Sequence, residues 1–391
     1  MSLATSALLV VDDNEDNRYT LTRRLQREGY ENLTVAADGQ QALDLLKSRS
    51  FDLVLLDVMM PGLNGYEVLE RMHADSRLRH VPVVMISALD EMDSVIRCIE
   101  LGAEDYLAKP FNPTLLRARV GSSLEKKRMR DEIVTYLEQI EDELQAARQI
   151  QLSMVPTEFL VPTLERPVEI YATLEPARRV GGDLYDFFWG EDGRMYFVVA
   201  DVSDKGAPAA LFMARTKTMI RLVATLCRMP DGKPMEPHHI IEKVNEGLSQ
   251  ENEQGMFVTV FLGILDPATA TLSFSNAGHN LPYLLRASND VSALDSARGK
   301  PLGIRPTFTY QSRSLKLASG DGLFVYTDGI TEALNAASEL FSEQRLEEAL
   351  RSLARASASE MVNGVMERVR GFAANAVRSD DIAAMALRFV K

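Results

Sequence analysis

Ala7-Leu8-Leu9-Val10-Val11-Asp12-Asp13 runs five apolar residues into two acids, and its reading decides the first half of the fold. An apolar run this short and unbroken suits a strand buried on both faces of a parallel sheet. The pattern repeats outward from it. Tyr19, Leu21 and Leu25 carry a helical spacing, and residues 32–36 read as a second strand. A helix through Ala42, Leu43, Leu45 and Leu46 leads to a strand at 53–56, and one through Tyr66, Val68, Leu69 and Met72 to a strand at 81–86. Val95, Ile96, Ile99 and Leu101 mark a fourth helix, residues 105–108 a short strand, and Leu115, Leu116 and Val120 the start of a fifth helix. Strand and helix alternating five times predict an α/β, doubly wound domain on a five-stranded parallel sheet.

Beyond it the periodicity changes twice. Ile133, Leu137, Ile140, Leu144 and Ala147 are spaced alternately by four and three, with charged residues between them; Gln151 interrupts this seam and Met154 resumes it. Such a seam predicts a long coiled-coil-like helix, read either as a dimer contact or as one helix packed on its own chain. From 167 onward, strands are expected at 168–172, 195–200, 257–264, 270–275, 282–285, 309–317, 322–326 and 382–387. Helices are expected at 207–228, 237–250, 343–356 and 358–376. Strands cluster with strands, which predicts an α+β β-sandwich flanked by helices. The expected division is 1–121 for the first domain, 122–156 for the helical linker and 157–391 for the second domain, within the two or three that 391 residues imply.

Composition narrows the function classes. The chain is 46% hydrophobic and 25% charged, with a net charge of −13. That balance argues against nucleic acid as a partner, and no basic helix-turn-helix segment is visible. No apolar run reaches the ~18 residues a membrane span needs. The first seven residues show no basic segment leading into an apolar one, so no signal peptide is expected. Cys98 and Cys227 stand apart from each other and from any histidine pair, which argues against a disulfide framework or a zinc site. The expectation is a cytoplasmic protein.

In a doubly wound sheet the strand C-termini converge on one crevice. Asp12 and Asp13 follow the first strand, Asp57 the third, Ser87 the fourth and Lys109 the fifth. Three carboxylates brought together repel one another, and a hard divalent cation such as Mg²⁺ relieves this. One carboxylate can then act as a nucleophile toward a phosphoryl group, with the hydroxyl and ammonium gripping its oxygens. Val11-Asp12-Asp13-Asn14, Leu56-Asp57-Val58-Met59-Met60-Pro61-Gly62, Ser87-Ala88 and Lys109-Pro110 together resemble the response-regulator receiver family over about residues 6–122. The resemblance implies phosphorylation at Asp57, Mg²⁺ held by Asp12, Asp13, Asp57 and the Met59 carbonyl, a phosphoryl group read by Ser87 and Lys109, and Tyr106 as an aromatic switch. The phosphodonor it implies is a sensor histidine kinase or a phosphotransfer protein.

The second half carries Gly181-Gly182-Asp183-Leu184-Tyr185-Asp186, Asp201-Val202-Ser203-Asp204-Lys205-Gly206, Tyr326-Thr327-Asp328-Gly329 and Ser379-Asp380-Asp381-Ile382. Each alone is ordinary turn chemistry. Together they gather carboxylates at strand ends, and oxygen donors without cysteine or a histidine cluster favour Mg²⁺ or Mn²⁺ over Zn²⁺. In this order, with 147–156 and Asn276-Ala277-Gly278-His279-Asn280, they resemble metal-dependent serine/threonine protein phosphatases of the bacterial stress-response and sporulation branch, over about 145–390. The resemblance implies two Mn²⁺ or Mg²⁺ ions held by Asp183, Asp201, Asp328 and Asp380, with Asp201 bridging and the Val202 carbonyl assisting. Asp381 is the alternative to Asp380, and Asp186 is expected to support the ligands from behind. His279 reads as a general acid or as part of a structural turn. An arginine that grips phosphate in other members has no match here.

The resulting expectation is a homodimeric response regulator whose phosphatase acts on a phosphorylated anti-sigma-factor antagonist. The alternative is a catalytically silent adaptor that binds a sigma factor or its regulators.

Overall fold

The computed structural model describes residues 3–88, 92–160, 162–163, 167–374, 376, 378 and 380–390. The chain divides into two compact units, Met1–Ile140 and Glu141–Lys391.

In the first unit, β1 (Leu8–Val11), α1 (Glu15–Arg27), β2 (Leu33–Ala36), α2 (Gly39–Ser48), β3 (Leu53–Asp57), α3 (Gly65–Ala74), β4 (Val83–Ser87), α4 (Met92–Glu100) and β5 (Asp105–Ala108) alternate as expected. All strand pairs are parallel, in the order β2-β1-β3-β4-β5. Helix starts are set locally. The Asn14 side chain accepts the Asp16 and Asn17 amides at the head of α1, Asp38 caps α2, and Asn64 with Glu67 forms a reciprocal cap on α3. Apolar side chains of β1, β3 and β4 alternate between two cores, Leu9, Val54, Leu56 and Met85 on one face and Leu8, Leu53, Leu55 and Val84 on the other. Both faces are covered, so the strands read as continuous apolar runs.

The fifth helix, α5, is one element from Pro113 to Met154 and runs from the first unit into the second. Ile133, Leu137 and Ile140 of the heptad seam are exposed along it.

The second unit stacks two five-stranded sheets. It continues with β6 (Val168–Glu175), β7 (Leu184–Trp189), β8 (Met195–Val202), α6 (Ala207–Leu226), α7 (Pro237–Ser249), β9 (Val258–Asp266), β10 (Thr271–Ala277), β11 (Tyr283–Leu285), β12 (Val291–Ala293), β13 (Arg313–Lys316), β14 (Gly322–Tyr326), α8 (Ser342–Ser352), α9 (Ala358–Ala373) and β15 (Ile382–Phe389). The orders are β13-β10-β9-β8-β7 and β12-β11-β14-β15-β6, with every neighbouring pair antiparallel. One core packs the first sheet on α6 and α7, a second fills the space between the sheets, and a third packs the second sheet on α8 and α9.

Strand parity then decides which side chains reach the space between the sheets. Met195, Phe197 and Val199 of β8 face it, as do Leu323 and Val325 of β14 and Ala383, Met385 and Leu387 of β15. Continuing the alternation puts Asp201, Thr327 and Asp381 on that same side, at the ends of their strands.

Three expectations differ from the structure. The 309–317 strand is only Arg313–Lys316, because Tyr310 instead packs against the α6 and α7 core. β7 and β12 were not anticipated: the first follows the Gly-Gly-Asp turn at once, and the second spans only three residues. Helix α8 stops at Ser352 rather than 356, and a second capping box, Ser357 with Glu360, starts α9.

Candidate active site

In the first unit, carboxylate oxygens of Asp12, Asp13 and Asp57 lie within 4.8 Å of one another. Asp12 and Asp57 are buried and Asp13 is exposed. Lys109 Nζ stands 2.8 Å from Asp12 Oδ2 and 2.9 Å from Asp57 Oδ2, binding the first and third strands' carboxylates from the end of the fifth. Burial raises the Asp57 carboxyl above its ordinary range, and Lys109 opposes this. Burial alone would lower the Lys109 ammonium, but its hydrogen bonds to Asp12 and Asp57 prevail and raise it. Ser87 is buried at the end of β4, Tyr106 is half-buried on β5, and the Met59 side chain is exposed beside Asp57 in sequence.

In the second unit, the sandwich brings Asp201 into electrostatic reach of Asp183, Asp328, Asp380 and Asp381, with Asp183 also facing Asp381 and Asp328 facing Asp380. Asp183 precedes β7, Asp201 is the penultimate residue of β8, Asp328 follows β14 and Asp380 precedes β15. Burial, and then the Asp201 carboxylate, hold Asp183 well above the usual carboxylate range. Asp201 is pushed up to about 7 by burial and then by Asp328. Asp328 rises to about 6, again by burial first and then by Glu332 and Asp380. Buried like charges of this kind are relieved by protons or by cations.

The polar groups around this cluster orient it. Thr327 Oγ1 donates to Asp183 Oδ2 at 2.6 Å, and itself accepts the Ala383 amide at 2.8 Å. Lys205 Nζ stands 2.9 Å from Asp380 Oδ2. A Cβ on Gly182 would come within 2.9 Å of the Val202 carbonyl oxygen, so only glycine lets the Asp183 turn approach that carbonyl.

Asp380 and Asp381 occupy different environments. Asp381 is buried, and its two oxygens accept the backbone amides of Ala177 and Gly182, each at 2.7 Å. Asp380 is half-buried and faces Lys205. Ser379 lies outside the described residues.

Asp186 is not brought to the cluster. Its carboxylate is buried against α6, where Arg221 donates two hydrogen bonds at 2.5 and 2.7 Å and Lys217 stands at 3.0 Å. His279 is fully buried, and burial pushes its imidazole down to about 3, so the ring is neutral. Its Nδ1 pairs with Thr259 Oγ1 at 2.8 Å, and Asn276 brackets its backbone by accepting the His279 amide and donating to its carbonyl.

Thr327 and Lys205 were not singled out from sequence. Their signal lay in adjacency, each standing one or a few residues from a predicted carboxylate inside a quoted motif.

Comparison with known proteins agrees with both halves. The profile of the response regulator receiver domain matches residues 8–121, and that of stage II sporulation protein E (SpoIIE) matches residues 191–390. Protein IcfG of Synechocystis sp. is 31% identical over 265 residues, which is 63% of this chain and 41% of that protein. The probable transcriptional regulator ycf27 of Cyanidium caldarium is 40% identical over 124 residues, 32% of this chain and 48% of that one. The chain thus spans less than half the length of these two relatives. The SiaA-PP2C domain of Pseudomonas aeruginosa superposes with a TM-score of 0.56 at 21% identity, covering 65% of this chain and 98% of that domain, a likeness of fold. With a receiver domain ahead of the sandwich and the SpoIIE profile spanning half of its residues, the chain belongs to the SpoIIE family of PP2C-type phosphatase folds.

Proposed function

We propose that this chain is a response regulator in which phosphorylation of Asp57 controls a metal-dependent protein serine/threonine phosphatase. The observation that carries the reading is that Asp201 stands in reach of Asp183, Asp328 and Asp380 at the strand ends of the sandwich, with three of the four held above the ordinary carboxylate range. An all-oxygen set of buried carboxylates matches hard divalent cations. Asp183, Asp201, Asp328 and Asp380, with the Val202 carbonyl, would hold two Mn²⁺ or Mg²⁺ ions. Such a pair supplies an activated water and charge neutralisation for in-line displacement at a phosphate ester.

The chain's own residues do the rest. Thr327 fixes one Asp183 oxygen. Asp381 holds the 177–182 segment through two backbone amides, and we take the half-buried Asp380 as the metal ligand. We assign His279 to holding the turn through Thr259 and Asn276, since a buried neutral imidazole is poorly placed to protonate a leaving group.

In the first unit, Asp57 would attack the phosphorus of a phosphohistidine on a sensor kinase or phosphotransfer protein, with Mg²⁺ held by Asp12, Asp13, Asp57 and the Met59 carbonyl. Ser87 and Lys109 would then grip the transferred group, and Tyr106 would report it. Residues 1–121, 122–156 and 157–391 serve as receiver, helical linker and phosphatase. The exposed seam of α5 favours a parallel dimer of this chain. The substrate we infer is a phosphorylated anti-sigma-factor antagonist.

The test is hydrolysis of an aryl phosphate by the purified chain with Mn²⁺, with and without beryllofluoride as an aspartyl-phosphate mimic. Activity that needs Mn²⁺, disappears in Asp201→Ala and changes with the mimic supports the reading. A folded protein inactive in every condition would favour the adaptor. Deleting two residues within 133–147, which shifts the heptad phase, should uncouple activity from the mimic.

A further inference from the structure

Gln151 is a polar residue in an apolar seam, and the structure gives it a specific partner. The side chain is only 4% exposed. Its Nε2 donates to the Gly181 carbonyl at 2.5 Å, and its Oε1 accepts the Gly181 amide at 3.1 Å. The carboxamide therefore satisfies both backbone groups of one glycine, as a neighbouring strand would.

Gly181 lies two residues before Asp183, and the segment leading to it is gripped from both sides. On the helix side, Arg148 Nη1 stands 3.3 and 3.4 Å from the Arg178 and Arg179 carbonyls, and Glu141 pairs with Arg179. On the sheet side, Asp381 holds the Ala177 and Gly182 amides. A Cβ on Gly181 would collide with the Asp381 carboxylate. Residues 177–182 thus have no slack between α5 and β15. The end of α5 is itself fixed, with Val155 in the core between the sheets and the Pro156 carbonyl accepting the Tyr185 hydroxyl at 2.8 Å.

We propose that Gln151 is a positioning residue: its carboxamide clamp on Gly181 sets the place of Asp183 and so makes metal affinity depend on the register of α5. This rests on the phosphatase reading and adds the route by which the helix acts on the site. A turn of α5 about its axis carries Gln151 away from Gly181, and the strain passes along two peptide units to Asp183. The alternative is that Gln151 serves only to hold the fold together.

Calorimetric titration of Mn²⁺ into the full chain separates the two, comparing wild type, Gln151→Leu and the exposed control Gln145→Leu. Gln151→Leu should bind Mn²⁺ at least ~10-fold more weakly, the scale of losing a group that orients a metal ligand. Its kcat for aryl phosphate should recover at saturating Mn²⁺, its response to beryllofluoride should shrink, and amide exchange should speed up within 177–183 but not in β8 and β9. Unchanged Mn²⁺ affinity, or a kcat that saturating Mn²⁺ fails to restore, overturns the proposal. Should Gln151→Leu misfold, Arg148→Ala at its partly exposed site must shift Mn²⁺ affinity the same way by a smaller factor, and no shift again overturns it. A wild-type chain that neither binds Mn²⁺ nor hydrolyses the ester overturns the phosphatase reading itself, whereas an active wild type with an indistinguishable Gln151→Leu overturns the clamp alone.

Discussion

The two acidic clusters of this chain are built on opposite principles. In the first unit, Asp12 and Asp57 share one ammonium, since Lys109 stands 2.8 and 2.9 Å from them. In the second, Lys205 pairs with Asp380 and also tempers Asp328, but among the described residues no ion pair reaches Asp183 or Asp201. The same contrast runs through the Asp57, Asp183 and Asp201 carboxyls. Lys109 opposes the rise that burial imposes on Asp57, whereas Asp201 is pushed up to about 7 and Asp183 well above its usual range. A site with its own ammonium keeps its charges compensated without a bound cation. A carboxylate pair such as Asp183 and Asp201, with no ion pair of its own among the described residues, draws on protons or metal ions for compensation, and this makes it responsive to both.

The largest effect that tests this contrast is Asp201→Ala. Removing the carboxylate in reach of all the others should lower Mn²⁺-dependent hydrolysis at least ~1000-fold, because the ions supply several kcal/mol of charge stabilisation. Residual activity near wild type in a stopped assay would mean that Asp201 does not hold the metal. Next comes Lys109→Met, which strands two buried carboxylates. It should cost ~3 kcal/mol in the first unit's urea unfolding under EDTA, the low end for a broken buried pair, and Mg²⁺ should restore part of the loss. Equal stability with and without Lys109 would erase the difference between the clusters.

The pH dependence of the second unit follows from the sign of its shifts. An unfolded aspartate titrates near ~3.9, but folded Asp201 does so at about 7 and Asp328 at about 6. Between those values the folded state binds more protons, so stability is full below pH ~4 and falls as pH rises through about 7. The thermal midpoint of the chelator-treated protein should therefore drop between pH 5 and 8, and saturating Mn²⁺ should flatten the drop. A flat metal-free profile would show that the carboxylates are not electrostatically strained.

How legible this was differs between the two halves for a physical reason. In a parallel sheet all strand ends point one way, so Asp12, Asp57, Ser87 and Lys109 could be placed together from strand order alone. In the sandwich, the meeting of Asp201 with Asp328 and Asp380 depends on how two sheets stack, which local periodicity does not encode; the shared motif order stood in for that information. Strand β7 escaped notice because Leu184-Tyr185-Asp186-Phe187-Phe188-Trp189 follows a Gly-Gly-Asp turn and buries Asp186, and an acid there reads as loop until Arg221 and Lys217 are found across from it. Gln151 was visible only as a fault in a heptad. Its meaning needed Gly181, thirty residues on.

Thr327→Val is the smallest and most discriminating change. Valine keeps the shape of threonine and removes the hydroxyl that donates to Asp183 and accepts from Ala383. If Asp183 and Asp201 draw their order from metal ions and hydrogen-bond donors because no ion pair among the described residues reaches them, losing one donor should weaken Mn²⁺ binding ~10-fold, with a fold cost of ~1 kcal/mol or more from the stranded Ala383 amide. The Asp183 carboxyl should also rise further, so the pH at which Mn²⁺ binding is half-maximal should move upward. Calorimetry at pH 6, 7 and 8 reads both effects at once. A Thr327→Val protein with wild-type Mn²⁺ affinity at all three pH values would mean that Asp183 is positioned by the turn alone, and that the two clusters differ less in construction than their geometry indicates.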